Sequence, residues 1–92
     1  MAKNTIHCKL VTPVAALAEG EVSYASVPLV DGLMGFLPGR APILARLGKG
    51  PLRLDFADSK AGRASAFAVE GGFVKMAENE LTILAEKATA GQ

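Results

Sequence analysis

The chain is 92 residues long and carries 10 Lys and Arg against 9 Asp and Glu, a net charge of +1. Half of its residues are hydrophobic and 21% are charged, so it can fold around one modest core rather than stay disordered. With four Phe, one Tyr, no Trp and no basic run, it lacks the clustered cations and stacking platforms that binding to nucleic acid demands.

Along residues 5–12, Ile6, Cys8 and Leu10 alternate with His7, Lys9 and Val11. That period of two predicts a half-buried strand with Cys8 inward, ended by Pro13. Residues 14–19 are too few for a stable helix and are expected to run into a turn at Glu19-Gly20. Residues 21–29 are rich in Val and Ser and read as a strand, with Tyr24 packed along the sheet and Pro28 marking an edge or bulge. Asp31-Gly32 is a tight-turn signal, pairing 21–29 with 33–37 as a hairpin.

A second series of strands follows. Residues 43–47 make a short strand that Gly48-Lys49-Gly50-Pro51 should break. Leu52, Leu54 and Phe56 alternate with Arg53 and Asp55, the cleanest amphipathic strand in the chain. Residues 58–62 are a polar hairpin loop. In 63–70, Phe67 and Val69 share one face while Ala64, Ala66 and Ala68 share the other. An Ala-rich face permits close approach by a partner, or else the domain buries both faces there. Gly71-Gly72 is a turn or bulge, and residues 73–77 and 80–85 form a last hairpin around Glu78-Asn79. The expected domain is 1–86, with a disordered tail over 87–92. Short strands with turn signals every eight to twelve residues predict an all-β fold, a small antiparallel sandwich or flattened barrel of about eight to ten strands.

The unusual stretch is 33–44. From Gly35 to Leu44 it holds two glycines and two prolines, and Arg40 is its one charged residue. A solvent loop would be polar; Pro and Gly fix this one into a rigid, apolar shape. Such a loop either packs on its own core or meets a partner.

Groups for catalysis are sparse. His7 and Cys8 are neighbours on a strand and point to opposite faces, so they cannot pair as base and nucleophile, and His7 is expected to be merely solvated. One Cys and one His are too few for the usual zinc set. There is no phosphate-binding glycine motif, the serines lack a nearby base, and Glu78 and Glu80 flank a turn. No enzyme activity, cofactor or metal is expected. Cys8 alone allows no internal disulfide, which fits a reducing compartment. No cationic segment leads into an apolar run at the N-terminus, so no secretory signal is expected. Uncharged stretches such as 22–30 are too short to span a bilayer.

Gly35-Phe36-Leu37-Pro38-Gly39-Arg40-Ala41-Pro42-Ile43-Leu44 resembles the G-x-x-P-G-H-A-P-hydrophobic-hydrophobic signature of the epsilon subunit of F-type ATP synthases. Val69-Glu70-Gly71-Gly72-Phe73-Val74-Lys75-Met76 is similar to that family's G-G-hydrophobic-x-x-hydrophobic hairpin, and Thr82-Ile83-Leu84-Ala85-Glu86 to its closing strand. With Leu10-Val11-Thr12-Pro13 near the start, the resemblance covers about the whole chain.

The resemblance implies a β-sandwich that binds the gamma subunit, rests on the c-ring and helps couple ion-driven rotation to ATP synthesis. It would do no chemistry of its own. Its place would be peripheral, at the cytoplasmic face of the bacterial inner membrane and held there by other subunits. By position, Gly35, Pro38, Gly39, Arg40, Ala41 and Pro42 would lie at the gamma and c-ring end, while Thr12 and Ala45 would face gamma. Leu33 stands where the family often has Glu, and Arg40 where it has His. The sequence stops at Gln92, so the family's helical hairpin, with its inhibitory and ATP-binding roles, is expected to be missing. The alternative is a freestanding β-sandwich module for a small ligand or a protein.

Overall fold

A computed structural model describes residues 5–57 and 64–90. Among them are seven strands and no helix: β1 (Ile6–Val11), β2 (Ala16–Leu29), β3 (Gly32–Phe36), β4 (Ile43–Arg46), β5 (Lys49–Phe56), β6 (Ala64–Ala77) and β7 (Glu80–Ala90). The ladder runs β1-β7-β6-β5-β2-β3, and β1 also pairs with β2, so five strands close into a ring. β3 extends that ring from β2, and β4 hangs on β6. Only β1 and β7 pair in parallel; the other pairings are antiparallel. This closed, flattened sheet is the expected all-β sandwich.

Alternation fills its interior. Ile6, Cys8 and Leu10 of β1, Leu52 and Leu54 of β5, and Leu81, Ile83 and Ala85 of β7 are buried, and no polar or charged described residue is. Burial of these side chains is the main stabilising term, at about 1.5–3 kcal/mol for each large one.

Seven strands replace the expected eight to ten because two of them run on through predicted breaks. β2 continues across Glu19-Gly20, where no turn forms. The ring of Phe56 lies 3.2 Å from where a Gly20 side chain would begin, so this glycine makes room rather than a bend. A bulge between Val22 and Tyr24 then shifts the alternation. Val22 points inward, but Ala25 and Val27 take over beyond it, leaving Tyr24 half-buried on the outer face. There Tyr24 does lie along the sheet: its Oη is 2.7 Å from the position a Gly35 Cβ would occupy.

β6 likewise runs through Gly71-Gly72, with φ of 76° and 122°. The ladder skips a pair here, from Glu70↔Lys87 to Gly72↔Ala85. The first half of β6 pairs with β5 and the second half with β4. Gly71 N–H donates to the Gly48 carbonyl (3.1 Å), and Leu47 N–H to the Gly72 carbonyl (2.9 Å), which stitches the corner. Inward residues change from Phe67 and Val69 to Val74 and Met76, an odd step.

Other boundaries differ too. β5 already begins at Lys49, so the break after β4 is confined to Leu47 and Gly48. β7 does not end at Ala85: residues 87–90 pair with 67–70, which corrects the frayed tail at those positions. Ala66 and Ala68 are exposed, so the domain does not bury both faces of β6 there. The β6–β7 turn forms at Glu78-Asn79 as expected, while the β2–β3 turn falls at Val30-Asp31, one residue before the expected Asp31-Gly32. The polar loop at 58–62 lies outside the described residues.

Candidate partner-binding surface

The Pro-Gly loop leaves the core at Phe36, which is fully buried, and Leu37 immediately after it is 58% exposed. The chain turns at Pro38-Gly39, and Gly39 N–H donates to Asn79 Oδ1 at 2.7 Å. Asn79 sits in the β6–β7 hairpin turn, where Glu78 and Asn79 both have positive φ (50° and 59°), the geometry of a tight two-residue hairpin. The Asn79 carbonyl also accepts the N–H of His7 at 2.8 Å. One asparagine thus fixes the loop to the hairpin and to the start of β1.

Arg40 folds back over the loop's entry. Its guanidinium carbon stands 5.5 Å from the centroid of the Phe36 ring, and Nη2 donates to Met34 Sδ at 3.6 Å. That is cation–π range. Ala41 and Pro42 are exposed and lead into β4. Pro42, Ile43, Leu44, Lys75, Met76 and Ala77 line a shallow groove connecting the loop to the sheet.

Register extends this surface. Leu44 pairs with Lys75 and Arg46 with Phe73, so Leu44 and Phe73 are diagonal neighbours on one face. Phe73 pairs directly with Leu84, and Leu84 with Val11. Leu44, Phe73 and Leu84 are 71%, 53% and 45% exposed. An apolar stripe therefore crosses β4, β6, β7 and β1 on the outside of the sheet. Arg46, Lys75 and Lys9 are exposed along it.

The residues expected to bind a partner are distributed unevenly about this surface. Pro38, Gly39, Arg40, Ala41 and Pro42 form its loop end. Thr12 follows Val11 at the far end, in a turn where its N–H donates to the Ala15 carbonyl at 2.8 Å. Ala45 lies between Leu44 and Arg46 but faces inward, half-buried against Val74. Leu33 and Gly35 lie on β3, outside the stripe; Leu33 is exposed, and Gly35 is next to Tyr24.

Leu44, Phe73, Leu84 and Asn79 are not among the partner-binding residues expected from sequence. The signal for Phe73 is parity: beside inward Val74 and Met76, it must point outward once the double glycine resets the alternation.

His7 is not simply solvated. Nδ1 is 2.9 Å from Glu21 Oε2 and Nε2 is 3.0 Å from Glu19 Oε2. The hydrogen bond with Glu21, then that with Glu19, raises its pKa above the usual 6.5. Cys8, on the opposite face, is buried, and desolvation pushes its thiol up to about 12. Among the described residues no cluster of three metal-ligating side chains occurs.

Residues 5–91 match the family model of the ATP synthase delta/epsilon chain, β-sandwich domain. The chain belongs to this family. An ATP synthase epsilon chain of Halalkalibacterium halodurans is 40% identical over 84 residues, which is 91% of this chain and 60% of the relative. One of Leptospira interrogans is 35% identical over 86 residues, 94% of this chain and 65% of the relative. The chain thus spans less than two thirds of the length of these curated relatives. Among solved structures, a chain of the Euglena gracilis mitochondrial ATP synthase (OSCP, F1 and c-ring) superposes with a TM-score of 0.85 at 20% identity, over 98% of this chain and 56% of that one. A chain of the Tetrahymena thermophila mitochondrial ATP synthase central stalk and c-ring gives 0.77 at 22% identity, over 98% and 69%. At these identities the likeness establishes the fold. The delta/epsilon β-sandwich is the architecture described above.

Proposed function

We propose that this β-sandwich is a non-catalytic central-stalk domain of an F-type ATP synthase, binding gamma and the c-ring and helping to couple ion-driven rotation to ATP synthesis. The observation that carries this reading is the apolar stripe of exposed Leu44, Phe73 and Leu84, which runs on to half-buried Val11 and lies beside the Pro38-Gly39 loop. Its side chains stand on paired strands, so covering them costs little ordering entropy while each contributes on the order of 1 kcal/mol. A rigid, greasy surface of this kind suits a stable subunit contact better than a transient one.

In this reading the loop end, Pro38 to Pro42, meets the c-ring and gamma. Thr12 and Ala45 mark the side toward gamma, and Gly35 and Leu33 flank the contact. The domain is held at the cytoplasmic face of the bacterial inner membrane through these partners, as a peripheral component. Names of relatives and assemblies of structural neighbours support the assignment.

Co-expression with gamma from the same genome, followed by size-exclusion chromatography, tests it. The expected result is co-elution that Phe73→Asp and Leu84→Asp abolish, while Ala66→Asp, exposed on the first half of β6 and outside the stripe, has no effect. Folded wild-type domain that elutes alone would overturn the reading.

A further inference from the structure

We propose that Arg40 is the charged anchor of the loop and that the partner surface meeting it presents a carboxylate side chain. This rests on the reading above, that the loop is a docking end, and it specifies the chemistry of what docks there.

Three observations lead to it. First, Arg40 is placed before any partner arrives. Its guanidinium is stacked over Phe36, itself fully buried, and is linked to Met34 Sδ. The loop backbone beside it is tied down by Asn79. Rotamer entropy that a free arginine would lose on binding is therefore already spent. Second, Arg40 is exposed and makes no ion pair among the described residues, where the pairs are His7 with Glu19 and Glu21, and Arg53 with Asp55. A guanidinium has five donors, and the thioether of Met34 is a weak acceptor. Third, the cation is flanked in sequence by apolar residues, Leu37, Pro38, Ala41 and Pro42, and its two side-chain contacts, Phe36 and Met34, are apolar as well.

Those surroundings decide the partner's chemistry. A partner that covers the apolar loop also strips water from Arg40. A desolvated cation left unpaired opposes binding strongly, so the covering surface must return an anion. The planar fork matches a carboxylate with two parallel N–H···O bonds. The stacked face is occupied by Phe36, leaving the edge of the fork to the partner.

The test measures the affinity of the full chain for a gamma–c-ring assembly purified without this subunit, comparing wild type with Arg40→Ala, Arg40→Lys, Arg40→Glu and Phe73→Asp. Circular dichroism establishes that each variant is folded. Arg40→Ala is expected to weaken binding by about thirtyfold or more, and Arg40→Glu further. Arg40→Lys keeps the charge but not the fork, so it should fall between wild type and alanine. A Lys substitution at one Asp or Glu of the partner should restore Arg40→Glu. Arg40 variants that bind within about twofold of wild type, while Phe73→Asp does not bind, would overturn the carboxylate contact and leave the stalk reading standing. Wild type that fails to bind overturns both. Loss in Arg40→Ala of binding to phosphatidylglycerol vesicles, with gamma–c-ring affinity unchanged, would assign the cation to a lipid phosphate instead and equally overturn the proposal.

Discussion

Asn79 and Gly39 lie 40 residues apart in sequence and are joined directly, side-chain carbonyl to backbone N–H, at 2.7 Å. Asn79 also turns the β6–β7 hairpin at φ 59° and accepts the N–H of His7 through its own carbonyl. The placement of the Pro-Gly loop is therefore set by the tip of a remote hairpin. Prolines stiffen the loop, but this contact aims it.

Two substitutions separate the roles of Asn79. Asn79→Gly keeps the positive φ without strain and removes the side-chain bond, so it should cost under about 1 kcal/mol. Asn79→Ala loses the bond and also strains the turn, for about 2 kcal/mol in total. Both should accelerate hydrogen exchange at the Gly39 amide. Protection of Gly39 that survives both changes would show that the loop is held by other means.

The corner at Gly72 should be far less tolerant. A Cβ there would run into the Leu84 carbonyl, and φ is 122°. Gly32 has nearly the same φ, 123°, with nothing within 4 Å of an added Cβ. Gly32→Ala thus measures backbone strain alone, about 1–2 kcal/mol. Gly72→Ala adds a clash with main chain and should cost more than about 3 kcal/mol in urea unfolding. Equal midpoints for the two variants would show that the corner yields.

The contrast between these glycines explains what the sequence could and could not reveal. β1, β5 and the two hairpin turns are legible because strict alternation and turn residues are local signals. The run of β2 through Gly20, and of β6 through Gly71-Gly72, depends on long-range partners: Phe56 in one case, β4 and β5 in the other. A glycine that admits a neighbouring ring has the same letter as one that turns the chain. The inward parity of β6 also changes across Gly71-Gly72, from Phe67 and Val69 to Val74 and Met76, and this hid Phe73 as a surface residue. The loop's motif was visible, but its tether Asn79 was not, because an asparagine in a hairpin turn is explained by the turn alone.

Burial of Cys8 gives a kinetic prediction. Its side chain is 1% exposed and its thiol pKa is pushed up to about 12 by desolvation. The thiolate, which is the reacting species, is scarce and enclosed. A thiol-specific disulfide reagent should label the native protein only as fast as the protein opens, with the rate rising in step with the unfolded fraction in urea. Fast stoichiometric labelling in buffer would show that β1 detaches from the sheet.

The pH dependence of stability should carry the mark of His7. It faces Glu21, which also accepts from Thr5, as well as Glu19; Lys9 pairs with Glu19, and Glu80 is opposite His7 on β7. The hydrogen bonds to Glu21 and then Glu19 favour the imidazolium, and the pKa is raised above 6.5 in the folded state. A raised folded value means that the protonated form is bound more tightly in the native protein than in the unfolded one. The contribution is therefore fully present below the unfolded value and is lost as pH rises through the folded one. Comparing wild type with His7→Gln in urea, the difference in midpoint should be fullest below the unfolded value of 6.5 and shrink as pH rises above it. Because the site is open to solvent, added salt should shrink that difference. A difference that instead grows with pH would reverse the sign of the coupling, and one that ignores both salt and pH would reduce His7 to a packing residue of β1.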